Sequence, residues 1–155
     1  MTAVPGYRLL IAYWLPVAAW MTFIFLGSTG GLASEQTSRF LIPFLKWLLP
    51  GAAPETLHQV HVFSRKCAHL AEYALLSTLL WRALHHSIRR QTAAWRWDVA
   101  GWALLGAALY AVSDEIHQSF VPSRQGSVRD VLLDSTGAAL GLLLVWLAGY
   151  LRRRW

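Results

Sequence analysis

Four stretches of the chain are apolar enough, for long enough, to cross a bilayer, and polar groups collect at the ends of two of them. Leu9 to Leu26 is 18 residues with no charge, within the length that a spanning helix needs. It contains Pro16, which such a helix tolerates because neighbouring groups satisfy the freed backbone carbonyl. Cys67 to Trp81 is interrupted by His69 and Glu72 and reaches spanning length only as Ser64 to Leu84. Val99 to Ser113 becomes long enough when Asp114 to His117 extends it, and Val131 to Leu151 carries Asp134 as its only charge. The pattern predicts transmembrane helices over about residues 8–27, 64–84, 98–118 and 128–151.

The long connection from Gly27 to Phe63 holds one more element. Ser34 can cap a helix in which Phe40, Leu41, Phe44, Leu45, Trp47 and Leu48 recur at helical spacing while Arg39 and Lys46 leave the stripe. This helix, about residues 35–49, is too short to span and too apolar for a solvated surface, so it lies in the membrane interface or turns back re-entrantly. A helix that only packs over the bundle is the other reading. Pro50-Gly51 ends it, and Ala52 to Thr56 reads as loop. No internal repeat, low-complexity tract or domain boundary is visible. The fold class is all-α: one domain over 1–155, a small integral membrane bundle of four transmembrane helices plus one interfacial or re-entrant helix.

Composition agrees. The 155 residues are 55% hydrophobic and 14% charged, with nine Trp and a mean hydropathy of +0.38, too oily for a soluble domain of this size. The net charge of +6 comes from 14 Lys and Arg against eight Asp and Glu, but these cations stand singly or beside apolar runs. That is the signature of membrane topology, and no nucleic-acid partner is expected. A single cysteine, Cys67, excludes an internal disulfide. Arg8 ahead of an apolar run resembles a signal peptide, yet the length of that run favours a retained span.

With the amino terminus inside, Arg8, Arg82, Arg89, Arg90, Arg96, Arg152, Arg153 and Arg154 are cytoplasmic, and Arg39, Lys46, Arg65, Lys66, Arg124 and Arg129 are outside. The last four of the outer group belong to the polar cluster and are there for chemistry rather than topology. Discounting them, the protein is expected in the inner membrane with both termini in the cytoplasm and the cluster facing outward. Trp14, Trp20, Trp81, Trp95, Trp97, Trp102, Trp146 and Trp155 suit an aromatic belt at helix ends. His58, His61, His85 and His86 read as interfacial loop residues.

Ionised groups at membrane depth are costly unless they pair or face water, which makes the cluster a functional-site hypothesis by default. On the second predicted span, Lys66, His69 and Tyr73 fall at i, i+3 and i+7, with Glu72 three after His69. On the third, Asp114 and Gln118 are four apart, flanked by Glu115 and His117. The fourth follows Pro122-Ser123-Arg124-Gln125-Gly126, takes Ser127 as its cap, and places Asp130 and Asp134 four apart on one face. A tight turn puts the last two stripes at one depth, and up-down topology brings the first to meet them.

Two blocks carry a resemblance. Val62-Phe63-Ser64-Arg65-Lys66-Cys67-Ala68-His69-Leu70-Ala71-Glu72-Tyr73 and, further along, the run from Ser113 through Asp114, Glu115, Gln118, Phe120, Pro122, Arg124 and Gly126 to Asp130 and Val131 resemble the VanZ-like membrane protein family in order and spacing. The similarity continues through Asp134, Gly137 and Gly141 and covers most of the chain from Leu9 onward. It carries the pattern Arg-Lys-x-x-His-x-x-Glu-Tyr onto Arg65, Lys66, His69, Glu72 and Tyr73, and puts Asp134 where the family places Asp or Asn. Ser123 stands where many relatives have Gly, and Cys67 where they have an aliphatic residue. The resemblance implies a small multi-helix membrane protein and a link to resistance to the glycopeptide teicoplanin, a phenotype rather than a reaction.

Three readings of the cluster compete. His69 and Glu72 suit zinc or manganese, with Asp114 or Asp130 as a third ligand, but Lys66 one turn away opposes a cation, so a divalent metal is possible and not favoured. Alternatively His69, Glu72, Asp114 and Asp130 supply acid/base chemistry, while Arg65, Lys66, Tyr73, Glu115, Gln118, Arg124 and Asp134 bind substrate, its anion above all. The third is a salt-bridge network that only locks helices, for example Lys66 with Asp114 and Arg124 with Asp130. Gly137 and Gly141 form a G-x-x-x-G pair for close packing inside the bundle, dimerisation being the weaker alternative. The expected partner is a membrane lipid or lipid-linked cell-envelope precursor bearing phosphate, acted on by a hydrolase or transferase or held by a non-catalytic binder or transporter. A continuous ion conduit is disfavoured, since the inner halves of the spans are apolar.

Overall fold

The computed structural model describes Tyr7 and residues 10–29, 34–88, 94–121 and 126–155. They form five helices: α1 (Leu10–Ser28), α2 (Ser34–Leu48), α3 (Pro54–Ser87), α4 (Trp97–Ser119) and α5 (Val128–Leu151). There is no strand among the described residues. The first five residues of α1, Leu10–Trp14, wind as a wide π-type turn and regular α geometry begins at Leu15. Pro16 therefore sits in the first turn of the α-helical part, where its missing N–H has no regular partner to lose.

Three helices, α1, α4 and α5, are long and apolar enough to cross a membrane. The fourth expected span lies in α3, whose apolar stretch is diluted by His69, Glu72 and Arg82, and it does not join them on composition. Nor does α3 keep to the expected 64–84. It starts at Pro54 and runs 34 residues to Ser87, about 51 Å at the α-helical rise. Part of the segment read as loop, Ala52 to Thr56, is thus its first turn, and His58, His61, His85 and His86 are helical rather than in loops. The reason is local: proline is favoured at a helix start, and no Gly or Pro follows it before Ser87. Hydropathy alone had truncated the element.

Helix α3 is the axis of the bundle and packs on every other helix, most extensively on α5. Helix α1 lies antiparallel to it: the Trp14 indole donates to Ser87 Oγ at 3.0 Å, and the Trp20 indole to the Glu72 carbonyl at 2.9 Å. The Tyr110 hydroxyl of α4 donates to the Met21 carbonyl at 2.6 Å. Helices α3 and α5 run parallel, Gly137 against the Leu70 backbone and Gly141 against that of Ala74. A Cβ at either glycine would collide with a carbonyl of α3, so the pair does close packing within the bundle. Ser77 Oγ closes the same seam by donating to the Ala138 carbonyl at 2.8 Å.

The core is built largely of small residues, with Ala83, Ala107, Ala111 and Ala138 around Val17, Ile24, Tyr73 and Leu76. Large apolar side chains such as Phe23, Trp102, Leu109, Leu132 and Leu144 point outward instead. Water does not favour that arrangement; an apolar solvent does. Helix α2 packs on α3, burying Leu45 and leaving Phe44, Trp47 and Leu48 exposed. At one end of the bundle the rings of Trp81, Trp95 and Trp155 cluster, with Trp81 and Trp95 stacked at 4.9 Å. Polar groups gather at the other end.

Candidate functional site

The polar end is organised by the turn between α4 and α5. Gly126 lies so close to the Glu115 carbonyl that a Cβ there has no room, which lays the chain over the last turns of α4. Ser127 then caps α5, its Oγ accepting from the Arg129 backbone N–H at 3.2 Å. Its own backbone N–H donates to Glu115 Oε2 at 2.7 Å. A carboxylate accepting at the start of a helix is favoured both as a charge-assisted bond and by the helix dipole. Glu115 thereby ties the start of α5 to the end of α4.

From there the close α3–α5 seam sets the depth of the remaining groups. Asp134 lies one turn before Gly137, and His69 immediately precedes Leu70, so the glycine contact brings them face to face. His69 Nδ1 is 3.6 Å from Asp134 Oδ1, with the imidazole 22% exposed and the carboxylate sealed at 0%. Neither oxygen of Asp134 has a hydrogen-bond partner among the described residues. Next to them on α4, the Gln118 amide donates to Asp114 Oδ2 at 2.9 Å and approaches Ser28 Oγ of α1 at 3.5 Å. All three of these residues are buried.

These groups surround a cavity of about 210 Å³. Helix α3 lines it with Val62, Arg65, Lys66 and His69, α4 with Glu115 and Gln118, and α5 with Asp130, Leu133 and Asp134. Basic residues thus stand on one wall and carboxylates on the others. Of the expected site residues, the cavity unites Arg65, Lys66, His69, Glu115, Gln118, Asp130 and Asp134.

Three others fall elsewhere. Glu72 is half-buried on α3 and does not line the cavity, and the imidazole faces Asp134. Tyr73 is fully buried in the core beside Tyr110, ring centroids 6.4 Å apart, and does not line the cavity. Asp114 sits behind Gln118 and makes no ion pair with Lys66, which is exposed. Arg124, with Pro122, Ser123 and Gln125, lies outside the described residues, and so does its expected pairing with Asp130.

Sequence reasoning missed Ser28, Val62 and Leu133. Ser28 is the polar terminus of an otherwise apolar span, a visible signal; the two apolar residues have none that distinguishes them from lipid-facing positions. Among the described residues no three His, Cys, Asp or Glu side chains are grouped to hold a metal ion. What the arrangement offers is an imidazole, a side chain suited to proton exchange, facing a sealed carboxylate and sharing a cavity with two cations.

No curated protein and no solved structure matches the chain. A family model described as VanZ/LLP1 matches residues 12–149.

Proposed function

The chain belongs to the VanZ/LLP1 family, and from that membership and the charged cavity we propose that it handles the phosphate-bearing head group of a lipid or lipid-linked cell-envelope precursor. It does so as a four-span protein of the inner membrane, α3 being the span that the other helices shelter. Both termini are cytoplasmic, α2 lies in the interface, and the cavity opens toward the outer leaflet. Arg65 and Lys66 hold the phosphate, which arginine can grip through two hydrogen bonds at once. His69, which faces Asp134, donates and accepts protons in hydrolysis or transfer at that phosphate. The family link to teicoplanin resistance fits an action on envelope precursors.

The observation that carries this reading is the convergence of Arg65, Lys66, His69, Asp130 and Asp134, from two helices, on one cavity. A bundle locked only by charge has no need of a hollow at its ion pair. A second reading, a binder or transporter without chemistry, draws support from Glu115 and Gln118, whose polar groups are engaged within the protein. Purified protein in liposomes, incubated with a panel of lipid phosphates and pyrophosphates with and without divalent ions, separates the two. Enzyme action yields released phosphate or transferred product that His69→Ala abolishes while ligand still binds. Saturable binding with no product under any condition leaves the binder, and no binding at all removes both.

A further inference from the structure

The cavity is not a simple anion site. A phosphate alone, set between Arg65 and Lys66, would share a cavity of about 210 Å³ with the carboxylates of Asp130 and Asp134, and the His69 imidazole is the one other basic group in the described lining. Like charges in one cavity repel, and a site that recognises only an anion does not line itself with carboxylates. The other polar linings are already engaged: Glu115 accepts from the Ser127 backbone and Gln118 donates to Asp114.

Asp134 is the exception. It is fully buried, lines the cavity, and its oxygens accept no hydrogen bond among the described residues. Its one ion-pair neighbour among the described residues, His69 Nδ1, stands at 3.6 Å, beyond hydrogen-bonding distance. A buried carboxylate without donors is costly to keep, and its structure asks for an N–H group to arrive from elsewhere. Asp130, one turn earlier on the same face of α5, lines the same wall.

We infer that the head group taken by this cavity carries a primary ammonium beside its phosphate, the ammonium seated against Asp130 and Asp134 and the phosphate against Arg65 and Lys66. This rests on the phosphate reading above and narrows it to a zwitterionic class. A primary ammonium brings three N–H donors to the carboxylates; a quaternary one brings none. At roughly 30 Å³ for each water in the liquid, the cavity has room for a phosphate and a short amine together.

The test is calorimetric titration of the detergent-purified full chain with four probes: dihexanoyl phosphatidylethanolamine, dihexanoyl phosphatidic acid, dihexanoyl phosphatidylcholine and soluble O-phosphoethanolamine. The ethanolamine lipid should bind tighter than phosphatidic acid and the choline lipid by about tenfold or more. Asp134→Asn and Asp130→Asn should each erase that preference while phosphatidic acid binds as before or better, and Lys66→Gln should weaken all phosphate probes. If Asp134→Asn fails to fold, as thermal unfolding will report, Asp130→Asn carries the comparison. Soluble O-phosphoethanolamine matching its lipid counterpart supports the same chemistry and assigns it to a water-soluble source. Equal affinity for the ethanolamine lipid and phosphatidic acid, or equal losses for both in the Asp variants, overturns the ammonium site and leaves the phosphate reading intact. No binding of any probe removes the phosphate reading itself.

Discussion

His69 and Asp134 meet across the parallel seam of α3 and α5, Nδ1 to Oδ1 at 3.6 Å, and the carboxylate is wholly sealed from solvent. Removing the imidazole leaves a buried charge without its neighbour, which typically costs about 3–5 kcal/mol for a fully buried pair and less here because part of the ring is exposed. His69→Ala should therefore lower the unfolding temperature in detergent, and Asp134→Leu in that background should restore part of the loss. A double-mutant cycle read by thermal unfolding should give a coupling of about 0.5–3 kcal/mol. Strict additivity would show that the two groups do not interact.

The glycines that set this distance are open to a separate check. Gly137→Ala and Gly141→Ala each push a methyl into an α3 carbonyl, so the helices must part. Overpacking of this kind costs about 1–3 kcal/mol. Each should also weaken binding of lipid phosphate, because His69 and Asp134 separate as the seam opens. Gly101→Ala, at a glycine with nothing close to its would-be Cβ, should do neither.

Glu115 is expected to act through its acceptor oxygen and not through its charge alone. Glu115→Gln keeps an oxygen for the Ser127 backbone N–H and should stay near wild-type stability. Glu115→Leu strands that donor and should lose about 1–3 kcal/mol. Thermal unfolding distinguishes them, and equal losses would assign the cap to something else.

Whether α3 crosses the membrane can be read from two exposed positions. In a Cys67→Ala background, Gln59→Cys stands in the second turn of α3 and Ala94→Cys beyond its other end. Impermeant thiol reagents applied to intact cells and to inverted vesicles should label them from opposite sides, Gln59→Cys from the outside. Labelling from the same side would mean three spans.

Much of this architecture was legible because apolar run length is a direct physical requirement of the bilayer. The stretches ending in α1, α4 and α5 fall close to their expected limits, and Ser127 caps α5 as its side chain suggests. Helix α3 is longer than its apolar run because hydropathy is silent about polar helix: residues from Pro54 to Phe63 are polar enough to look like a connection yet contain nothing after Pro54 to break a helix. The site was half legible for a related reason. Spacing along one helix placed His69 beside Glu72, but the neighbour of the imidazole is chosen by the crossing of α3 and α5, which Gly137 and Gly141 encode and no single-helix stripe reveals. Tyr73 shares the motif and points into the core because the two-turn stripe is wider than the cavity.

The seam also fixes an order of assembly. Ser77 and Ala138, bonded across it, are 61 residues apart with all of α4 between them, so α3 emerges from the ribosome long before its partner exists. Until then His69 has no Asp134 to meet, and Leu70 and Ala74 have no glycine seam to pack on. The packing of α3 is completed only when the final hairpin has formed, and a nascent chain halted before α5 lacks one wall of the cavity.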